Sequence, residues 1–510
     1  MISSIKESPL YPIANPRSIA IFGASNNVTT MGTGLLGSLI DLGFTGEIYP
    51  VHPKEDRVLN LKAFRSVLDL PAVPDLALIV LPTRLVSETL DACGKKGIKH
   101  AIVISGGFKE VGGEGVALEK ELVAVAKKYG MRFLGPNCIG VTTPHQKLNT
   151  TFMTYEGAPG FIGMASQSGS FVTQMFNYLA RHALGFSTAF SVGNEANIDI
   201  VDCMEYLNAC PQTQVIALYI EGIRRGRAFV EMARSIVPKK PIVALYVGGS
   251  ETGRRAGLSH TGALAGPDRL YDGIFRQSGI VRAQSIIELF DFCWMLGSPQ
   301  RTAGRRVVIQ THSGGPGAEA ADACGRENLE LPPISPETIK KLSTLLPHTG
   351  SINNPVDFTF SRNLMDYFST IPEVLLEEKN ADVLLYYFSM PNRTLERMLR
   401  HMGIPTEKIA ELAPELLDAQ CDAIINLVEK GHKPFVGYTY QDIYDKLVRR
   451  LVERGIPIFL GPHRAARAIA AAFQYTQLRE KLLAADPSIA AAFSRDAWTP
   501  AKRLYTQKTR

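Results

Sequence analysis

Short apolar runs rich in β-branched residues alternate with longer segments of helical periodicity along most of this 510-residue chain. A strand, a helix and a second strand at this spacing are typical of βαβ units, which build parallel sheets covered by helices. Strands are predicted at residues 18–22, 48–51, 76–81 and 101–105, at 161–165, 188–191, 215–219 and 242–246, and at 306–310, 383–388 and 434–438. The pattern therefore predicts an α/β fold with several parallel sheets.

The strands fall into three blocks, which predict three α/β domains followed by a tail. The boundaries are set at 1–145, 146–297, 305–478 and 479–510, and a chain of this length is expected to hold roughly three or four domains. The segment 297–304 (GSPQRTAG) is interpreted as a linker because it is rich in Gly, Ser and Pro. The second and third domains begin alike, with GFIGMASQSGS and RRVVIQTHSGG, which indicates one structural unit used twice.

The composition excludes several classes of protein. The 55 Lys and Arg residues exceed the 49 Asp and Glu residues by only six, which is too weak a charge for a nucleic-acid binder of this length. The seven cysteines form no CxxC pair, so neither a structural zinc site nor a disulfide framework is expected, and a reducing compartment fits best. The sequence has no secretory signal and no run of ~18 apolar residues. We therefore expect a cytoplasmic protein that binds neither nucleic acid nor membrane.

A Gly-containing turn follows the first predicted strand and precedes a helix, where backbone N–H groups can approach a phosphate. Its residues are Gly23, Ala24, Ser25 and Asn26, with Gly32 a few positions later. The second strand is followed by Lys54, whereas an NAD site requires an acidic residue there for the ribose hydroxyls. A cation suits a ligand with an additional phosphate, which is either NADP or coenzyme A with its 3′-phosphate. A turn that binds no nucleotide is the alternative.

Further Gly-rich turns are predicted at the C-terminal ends of the later strands of the first block. They contain Ser105, Gly106 and Gly107 after the fourth strand and Asn137 after the next one. Ligands of open α/β sheets bind at this carboxyl edge, and several such loops on one edge suggest a long ligand. Each loop taken alone is also compatible with an ordinary strand–helix connection.

Two further turns lie at the N-termini of predicted helices, which are called helix mouths below. Such a mouth can seat an anion, because the first N–H groups of a helix are free and its dipole is positive there. The first turn contains Ser166, Gln167, Ser168 and Gly169, before a helix predicted to start near residue 171. The second turn contains Ser313, Gly314 and Gly315. For the first turn, a simple N-cap by Ser166 or Ser168 is the competing interpretation.

One histidine and one glutamate are candidate catalytic residues. His260 is flanked by small residues in SHTGAL, which leaves its ring open to attack; a loop histidine with a satisfied hydrogen bond is the alternative. Glu221 follows an apolar strand, so its carboxylate can accept a hydrogen bond from a histidine ring and fix the tautomer of that ring. The alternative for Glu221 is an exposed glutamate at a helix start. His312 is a second candidate for a reactive histidine and ranks below His260.

Taken together and in order, five motifs make the chain resemble the NDP-forming acyl-CoA synthetases. They are GPNC at 135–138, SQSGS at 166–170, YIEG at 219–222, SHTGALAG at 259–266 and HSGGPG at 312–317. The resemblance is strongest to the α subunits of ADP-forming acetyl-CoA synthetases, and succinyl-CoA synthetase α subunits are more distant. It covers about residues 10–475 and implies a Rossmann-like CoA-binding domain followed by two flavodoxin-like, succinyl-CoA synthetase-like domains.

The same resemblance implies a role for each candidate site. CoA binds at the first domain, His260 carries a phosphoryl group transiently, Glu221 orients that histidine, and the two helix mouths hold the phosphate. Phosphate, CoA and a small carboxylic acid are the implied small-molecule substrates. Residues that bind the acid are expected near the junction of the first two domains, around residues 192–195. No metal site is expected in this chain.

Phosphorylation of ADP or GDP in this family requires an ATP-grasp domain. The three α/β domains and the tail use all 510 residues, and the sequence has no P-loop GxxxxGK[ST] motif. The resemblance therefore implies a separate ATP-grasp β subunit that holds the nucleotide (ADP/ATP or GDP/GTP) and Mg²⁺, in an α2β2 assembly. The loop GYTYQD at 437–442 departs from the glycine-richer segment expected of the family.

Three other functions compete with this interpretation. A nucleotide-independent CoA enzyme, either an acyl-CoA:phosphate acyltransferase or a CoA transferase, would keep the CoA site and need no β subunit. A non-enzymatic acyl-CoA sensor would have no need of Glu221 or of the SHTG sequence at 259–262. An NADP oxidoreductase would account for Lys54 but not for His260 or the two helix mouths.

Overall fold

A computed structural model describes residues 2, 4–253, 266–299, 302, 304–359, 364–389, 392–431 and 433–485. Within these residues the chain forms two compact units. The first unit contains the residues up to 289 except 181–183, together with 482–485, and the second contains 181–183 and 290–481. The first unit holds two large sheets and the second unit holds one.

The first sheet is parallel and has five strands. The strands in this part of the chain are β1 (Ser18–Phe22), β2 (Glu47–Val51), β3 (Arg57–Val58), β4 (Leu61–Lys62), β5 (Leu76–Ile79), β6 (His100–Val103) and β7 (Arg132–Leu134). The sheet order is β2-β1-β5-β6-β7, and β3 and β4 form a separate antiparallel pair. The chain order reverses between β1 and β5, which opens a crevice at the carboxyl ends of these strands.

Helices cover the first sheet and bury an apolar core. They are α1 (Tyr11–Ala14), α2 (Met31–Asp41), α3 (Thr83–Lys96) and α4 (Glu114–Tyr129). Val86 and Leu90 of α3 and Leu122 of α4 pack in one cluster with side chains of the sheet such as Val103 and Phe133. Because β1, β5 and β6 are buried almost throughout, their sequences are continuous apolar runs, as is usual for parallel sheets with both faces covered.

The second sheet has seven strands. They are β8 (Val141–Thr143), β9 (Leu148–Asn149), β10 (Ile162–Ser166), β11 (Phe186–Ser191), β12 (Val215–Ile220), β13 (Ile242–Tyr246) and β14 (Val281–Ala283). Their order is β14-β13-β12-β10-β11-β8-β9, and only the pairings of β8 with β11 and β9 are antiparallel. The helices that follow are α5 (Gly169–Arg181), α6 (Ile200–Ala209), α7 (Gly226–Ile236), α8 (Asp268–Ser278) and α9 (Ile286–Gly297). The second sheet therefore takes in residues 141–149, which straddle the boundary at 145.

The third sheet lies in the second unit and is parallel. Its strands are β15 (Val307–Thr311), β16 (Val356–Asp357), β17 (Val383–Phe388), β18 (Phe435–Thr439) and β19 (Ile458–Leu460), in the order β16-β15-β17-β18-β19. The helices are α10 (Gly314–Arg326), α11 (Pro336–Leu345), α12 (Leu364–Phe368), α13 (Thr370–Leu376), α14 (Asn392–His401), α15 (Thr406–Lys430), α16 (Lys446–Glu453) and α17 (Pro462–Ala485).

The three parallel arrays confirm the predicted α/β fold, and each predicted strand overlaps an observed one to within two residues at either end. The division of the chain at residues 145, 297 and 478 stays a prediction. Over the residues that the structure describes, no helix is both long and apolar enough to cross a membrane.

Candidate functional site

The turn after β1 is the most constrained part of the carboxyl edge of the first sheet. Gly23 has φ +93°, and a Cβ atom on it would lie 1.9 Å from the carbonyl oxygen of Val80. A Cβ atom on Gly32, in the first turn of α2, would lie 2.3 Å from the carbonyl oxygen of Gly23. The hydroxyl of Thr33 accepts a hydrogen bond from the N–H of Ser25 at 3.0 Å and donates to the carbonyl of Ser25 at 2.9 Å. The turn is therefore held against the start of α2 with no room for side chains at either glycine.

Asn26 braces the loop after β2 against this turn. Its Nδ2 donates to the carbonyl of Arg57 at 2.9 Å and to the carboxylate of Glu55 at 3.2 Å, and its Oδ1 accepts from the N–H of Leu59 at 3.1 Å. Lys54 is exposed in the same loop. The structure thus brings these two exposed residues to one edge, where the Asn26 side chain bonds to the neighbouring loop and Lys54 presents a cation to solvent.

The loops after β6 and β7 meet at the same edge. The Ser105 hydroxyl donates to the carbonyl of Leu81 at 2.6 Å and accepts from the N–H of Leu81 at 3.0 Å, so it ties two strand ends together. The N–H of Asn137 donates to the carbonyl of Ser105 at 2.9 Å, and the Asn137 side chain lies against Gly106. The N–H of Gly107 donates to the carboxylate of Glu110 at 2.6 Å. The predicted residues are brought together, but the Ser105 hydroxyl and the Gly107 N–H serve the loops themselves.

The turn at 166–170 joins β10 to α5. Ser166 is fully buried, and its hydroxyl donates to the carbonyl of Ser168 at 2.6 Å. Helix α5 begins at Gly169, two residues earlier than predicted, and the hydroxyls of Ser168 and Ser170 lie 3.1 Å apart at its exposed mouth. The Ser166 hydroxyl is directed into the turn by this bond, and contact of Ser166 with an anion stays a prediction. The groups left at the mouth are Ser168, Gly169 and Ser170.

Gln167 holds the loop that carries Glu221. Its side-chain oxygen accepts the N–H groups of Glu221 and Gly222, and its Nε2 donates to the carbonyl of Gly222 at 2.7 Å. The same Nε2 donates to the Glu195 carboxyl at 2.9 Å, and the Gln167 N–H donates to the carbonyl of Tyr219 at 3.2 Å. Both donor groups and the side-chain oxygen of Gln167 are thus engaged within the first unit. These contacts indicate a positioning role for Gln167, which also lines the cavity described next, and its contact with phosphate stays a prediction.

The helix mouth and the Glu221 loop line one cavity of about 490 Å³ within the first unit. The remaining wall comes from Lys109, Tyr271 and the residues 137–139 and 193–195. The segment expected to bind the acid therefore opens on the same cavity as the helix mouth. The volume is in the range of small-molecule sites.

A buried polar network beside this cavity was not predicted. Asn194 is at its centre: its Nδ2 donates to the carboxyls of Glu110 at 2.6 Å and Glu119 at 2.9 Å, and its Oδ1 accepts from Asn137 at 3.3 Å. Burial raises the pKa of Glu119 to about 7, and the charge of Glu110 adds to this shift. Burial also raises the pKa of Glu195 to about 8. Glu195 is therefore mostly protonated at neutral pH.

The turn from β15 to α10 in the third sheet has the same local geometry as the turn from β10 to α5 in the second sheet. Thr311 at the end of β15 donates its hydroxyl to the carbonyl of Ser313 at 2.8 Å, as Ser166 does to Ser168. Helix α10 begins at Gly314, and Gly314 and Gly315 are exposed at its mouth. The shared hydrogen bond supports the prediction that one structural unit is used twice.

His312 is packed among aromatic side chains of the second unit. Its ring centroid lies 5.0 Å from that of Tyr387 and 5.6 Å from that of Tyr367. Its Nε2 is buried and has no hydrogen-bond partner among the described residues, and burial lowers the pKa of His312. The ring is therefore neutral at pH 7, which agrees with a packing role.

His260 lies outside the described residues, as does the whole of 254–265. On the downstream side, the carbonyl of Gly266 accepts a hydrogen bond from the Tyr246 hydroxyl at 2.8 Å. The ring of Tyr246 stacks on that of Tyr271 at 3.4 Å, and Tyr271 lines the cavity. The chain that follows the His260 segment is thus anchored beside the cavity wall.

Comparison with known proteins finds relatives among the CoA ligases. A CoA binding domain model matches residues 17–144, and a model of a succinyl-CoA ligase like flavodoxin domain matches residues 159–296. The α subunit of acetate–CoA ligase [ADP-forming] II of Pyrococcus furiosus is 38% identical over 463 residues, which are 90% of this chain and 96% of that relative. Acetate–CoA ligase [ADP-forming] I of Archaeoglobus fulgidus is 36% identical over 91% of this chain but only 64% of its own length.

A solved structure shares the fold over most of the chain. The dinucleotide forming acetyl-coenzyme A synthetase 1 of Ca. Korarchaeum cryptofilum, in complex with phosphate and ADP, is 31% identical, with a TM-score of 0.79 over 93% of this chain and 98% of that one. The two domain models cover the first and second sheets, which carry the Gly23 turn and the cavity. Because it is 38% identical to the Pyrococcus furiosus α subunit over 96% of that relative, the chain belongs to the family of the NDP-forming acyl-CoA synthetases.

Proposed function

We propose that this chain is the α subunit of an ADP-forming acyl-CoA synthetase, which interconverts acyl-CoA, phosphate and ADP with a carboxylic acid, CoA and ATP. The observation that carries the proposal is the 38% identity to an acetate–CoA ligase α subunit over 90% of the chain. Acetate is the acid in the name of that relative and is therefore the first acid to test.

The carboxyl edge of the first sheet fits CoA. The space above Gly23 and Gly32 is closed to side chains but leaves the backbone of the turn available to a phosphate group. Lys54 is an exposed cation in the adjacent loop and suits the 3′-phosphate. CoA supplies the thiol that forms or releases the thioester.

The chemistry proposed for the cavity is a sequence of three group transfers. In the direction of thioester cleavage, a phosphate oxygen attacks the thioester carbonyl and the C–S bond breaks, which gives an acyl phosphate and a CoA thiolate that takes up a proton. A ring nitrogen of His260 then attacks phosphorus, and the P–O bond to the acyl group breaks to release the carboxylate. Finally, an oxygen of the ADP β-phosphate attacks phosphorus, and the P–N bond breaks to give ATP and free His260.

The residues of the cavity support these steps without entering them covalently. Ser168, Gly169 and Ser170 offer hydroxyl and N–H groups at a helix mouth, where the charge spread over phosphoryl oxygens is stabilised. Glu221 would accept the N–H of the His260 ring and so direct its other nitrogen to phosphorus. Gln167 holds the backbone of Glu221 in place for this task. Outside this cavity, a second phosphate-binding site is proposed at the N-terminus of α10, formed by Ser313, Gly314 and Gly315.

A second subunit is proposed for the nucleotide step. The relative from Archaeoglobus fulgidus has a longer chain, and only 64% of it is matched here. We propose that a separate ATP-grasp β subunit holds ADP and Mg²⁺, in an α2β2 assembly. The α-subunit naming of the Pyrococcus furiosus relative supports such a partner.

The test is formation of ATP from acetyl-CoA, phosphate and ADP by the chain alone and with a co-purified ATP-grasp protein. We expect ATP and free CoA in equal amounts, and only with the partner present. Release of CoA with accumulation of acetyl phosphate that does not depend on ADP or the partner would instead favour an acyl-CoA:phosphate acyltransferase. Tight CoA binding without turnover in any mixture would favour an acyl-CoA sensor.

A further inference from the structure

Two cations, Lys109 and Arg224, lie on the wall of the cavity and have no role in the steps above. Their side chains are 28% and 43% exposed, so both are open to a ligand. We propose that Lys109 and Arg224 together bind the carboxylate of the acid substrate. This inference rests on the proposed function and names the residues that recognise its acid.

The two cations are held side by side by one backbone oxygen. The Lys109 ammonium donates to the carbonyl of Asn194 at 3.0 Å, and a terminal nitrogen of Arg224 donates to the same oxygen at 2.6 Å. The two nitrogen atoms therefore lie less than 6 Å apart. The other terminal nitrogen of Arg224 donates to the carbonyl of Glu195 at 2.7 Å, which fixes the plane of the guanidinium. Two like charges at this separation repel each other, and an anion bound by both removes that repulsion.

Neither cation has a carboxylate within hydrogen-bonding distance among the described residues. The nearest carboxyl oxygens belong to Glu119, 4.0 Å from the Lys109 ammonium, and to Glu195, 3.9 Å from Nε of Arg224. Burial raises the pKa of both carboxyls, to about 7 and about 8, so their compensation of the two cations weakens as the pH falls below neutral. Burial also lowers the pKa of Arg224, which reflects the cost of an uncompensated charge there.

Both cations keep donors for a ligand. Lysine has three N–H groups and arginine has five, and the hydrogen bonds to Asn194 and Glu195 use one group of Lys109 and two of Arg224. A planar guanidinium beside an ammonium can hold both oxygens of one carboxylate.

The remaining wall suits a small acid and places it near the phosphate. Ile139 and Ile223 offer apolar surface to a short carbon chain. The helix mouth at 168–170, proposed as the phosphate seat, opens on the same cavity, so a carboxylate on the cations and a phosphoryl group would share about 490 Å³. The other carboxyls on the wall are Glu221 and the mostly protonated Glu195, so the wall carries a net positive charge.

The experiment measures steady-state kinetics of acyl-CoA formation from acetate, CoA and ATP by the complete complex with its nucleotide-binding subunit, at about pH 6.5. Lys109→Gln and Arg224→Gln should each raise the KM for acetate at least tenfold, since each removes a charge-assisted contact, and leave the KM values for CoA and ATP within about twofold. Arg227→Gln removes an arginine three positions away whose side chain is 93% exposed, and should leave all three KM values unchanged.

Because both cations also hold the 194–195 backbone, a charge-conserving variant separates binding from folding. Lys109→Arg should keep the KM for acetate within about threefold of the wild type, whereas Lys109→Gln should not. An unchanged acetate KM in both glutamine variants would overturn the inference, and so would an equal loss in all substrates. A selective rise in the KM for phosphate, measured in the direction of thioester cleavage, would overturn it by making the pair a phosphate site. A wild-type complex that forms no acyl-CoA would refute the proposed function instead.

Discussion

Replacing Glu195 by glutamine tests the buried network through its pH dependence. Glu195 is 6% exposed, and burial, aided by the charge of Asp199, raises its pKa from 4.5 to about 8. A carboxyl whose pKa is higher in the folded state favours folding fully below the unfolded value, and this contribution is lost as pH rises towards 8. At about 1.4 kcal/mol per pKa unit, and with the carboxyl half-protonated in the unfolded state at pH 4.5 and in the folded state at pH 8, the free energy of unfolding should fall by about 4 kcal/mol between these two pH values.

Glu195→Gln abolishes this dependence but keeps an acceptor for the N–H of Ile200, which lies 2.9 Å from the carboxyl. The difference in free energy of unfolding between variant and wild type should therefore grow by about 4 kcal/mol in favour of the variant from pH 4.5 to pH 8. Urea unfolding at a series of pH values, followed by hydrogen exchange of the segment around Ile200, measures this difference for the first unit. Glu121→Gln, which removes an exposed carboxyl of α4, is the control and should show no such slope. A flat difference for Glu195→Gln would refute the account of the network.

Three other substitutions test parts of the site. Gln167→Ala removes four side-chain hydrogen bonds, so the free energy of unfolding, measured in urea, should fall by about 3 kcal/mol. Its kcat should also fall, because the Glu221 backbone loses the side chain that holds it. An unchanged free energy of unfolding and an unchanged kcat would argue against the positioning role of Gln167. Gly23→Ala should abolish CoA binding in calorimetry, because its Cβ atom would collide with the Val80 carbonyl oxygen. Gly37→Ala, which has open space around its Cβ atom, should retain CoA binding. CoA binding by Gly23→Ala would show that the turn after β1 tolerates a side chain. Thr33→Val should raise the Kd for CoA about tenfold, because the turn loses both hydrogen bonds to the hydroxyl, and an unaltered Kd would show that these bonds do not shape the site.

The strands could be predicted where an apolar run is bounded by turn residues. The predicted ranges 18–22, 242–246 and 383–388 match β1, β13 and β17 at both ends. Strands of two or three residues, such as β16 and β19, are too short to produce a pattern, and only their neighbours in the sheet define them. The pairing of β8 with β11 is a contact between distant segments that no local pattern carries.

The sequence predicts which polar loops follow the strands and meet at the sheet edges, but not the direction of their side chains. Ser166 and Gln167 are predicted because polar residues follow a buried strand, yet the Ser166 hydroxyl bonds within its own turn. The Gln167 amide lines the cavity and bonds to the neighbouring loop. Asn26 is exposed, and its side-chain amide bonds to a neighbouring loop. The hydrogen bond between Asn194 and Glu119 joins residues 75 positions apart, which no local sequence pattern can reveal. The role of His260 stays a prediction from the sequence.

In the proposed reaction, His260 carries the phosphoryl group between the acyl phosphate and ADP. Its most direct test is the intact mass of this chain, in complex with its partner, after incubation with acetyl-CoA and phosphate in the absence of ADP. We predict a gain of one acid-labile phosphoryl group that disappears on addition of ADP, is absent from His260→Ala and is retained in His348→Ala, which removes an exposed histidine. An unmodified wild-type chain in a mixture that consumes acetyl-CoA, or an equal gain in His260→Ala, would contradict the account.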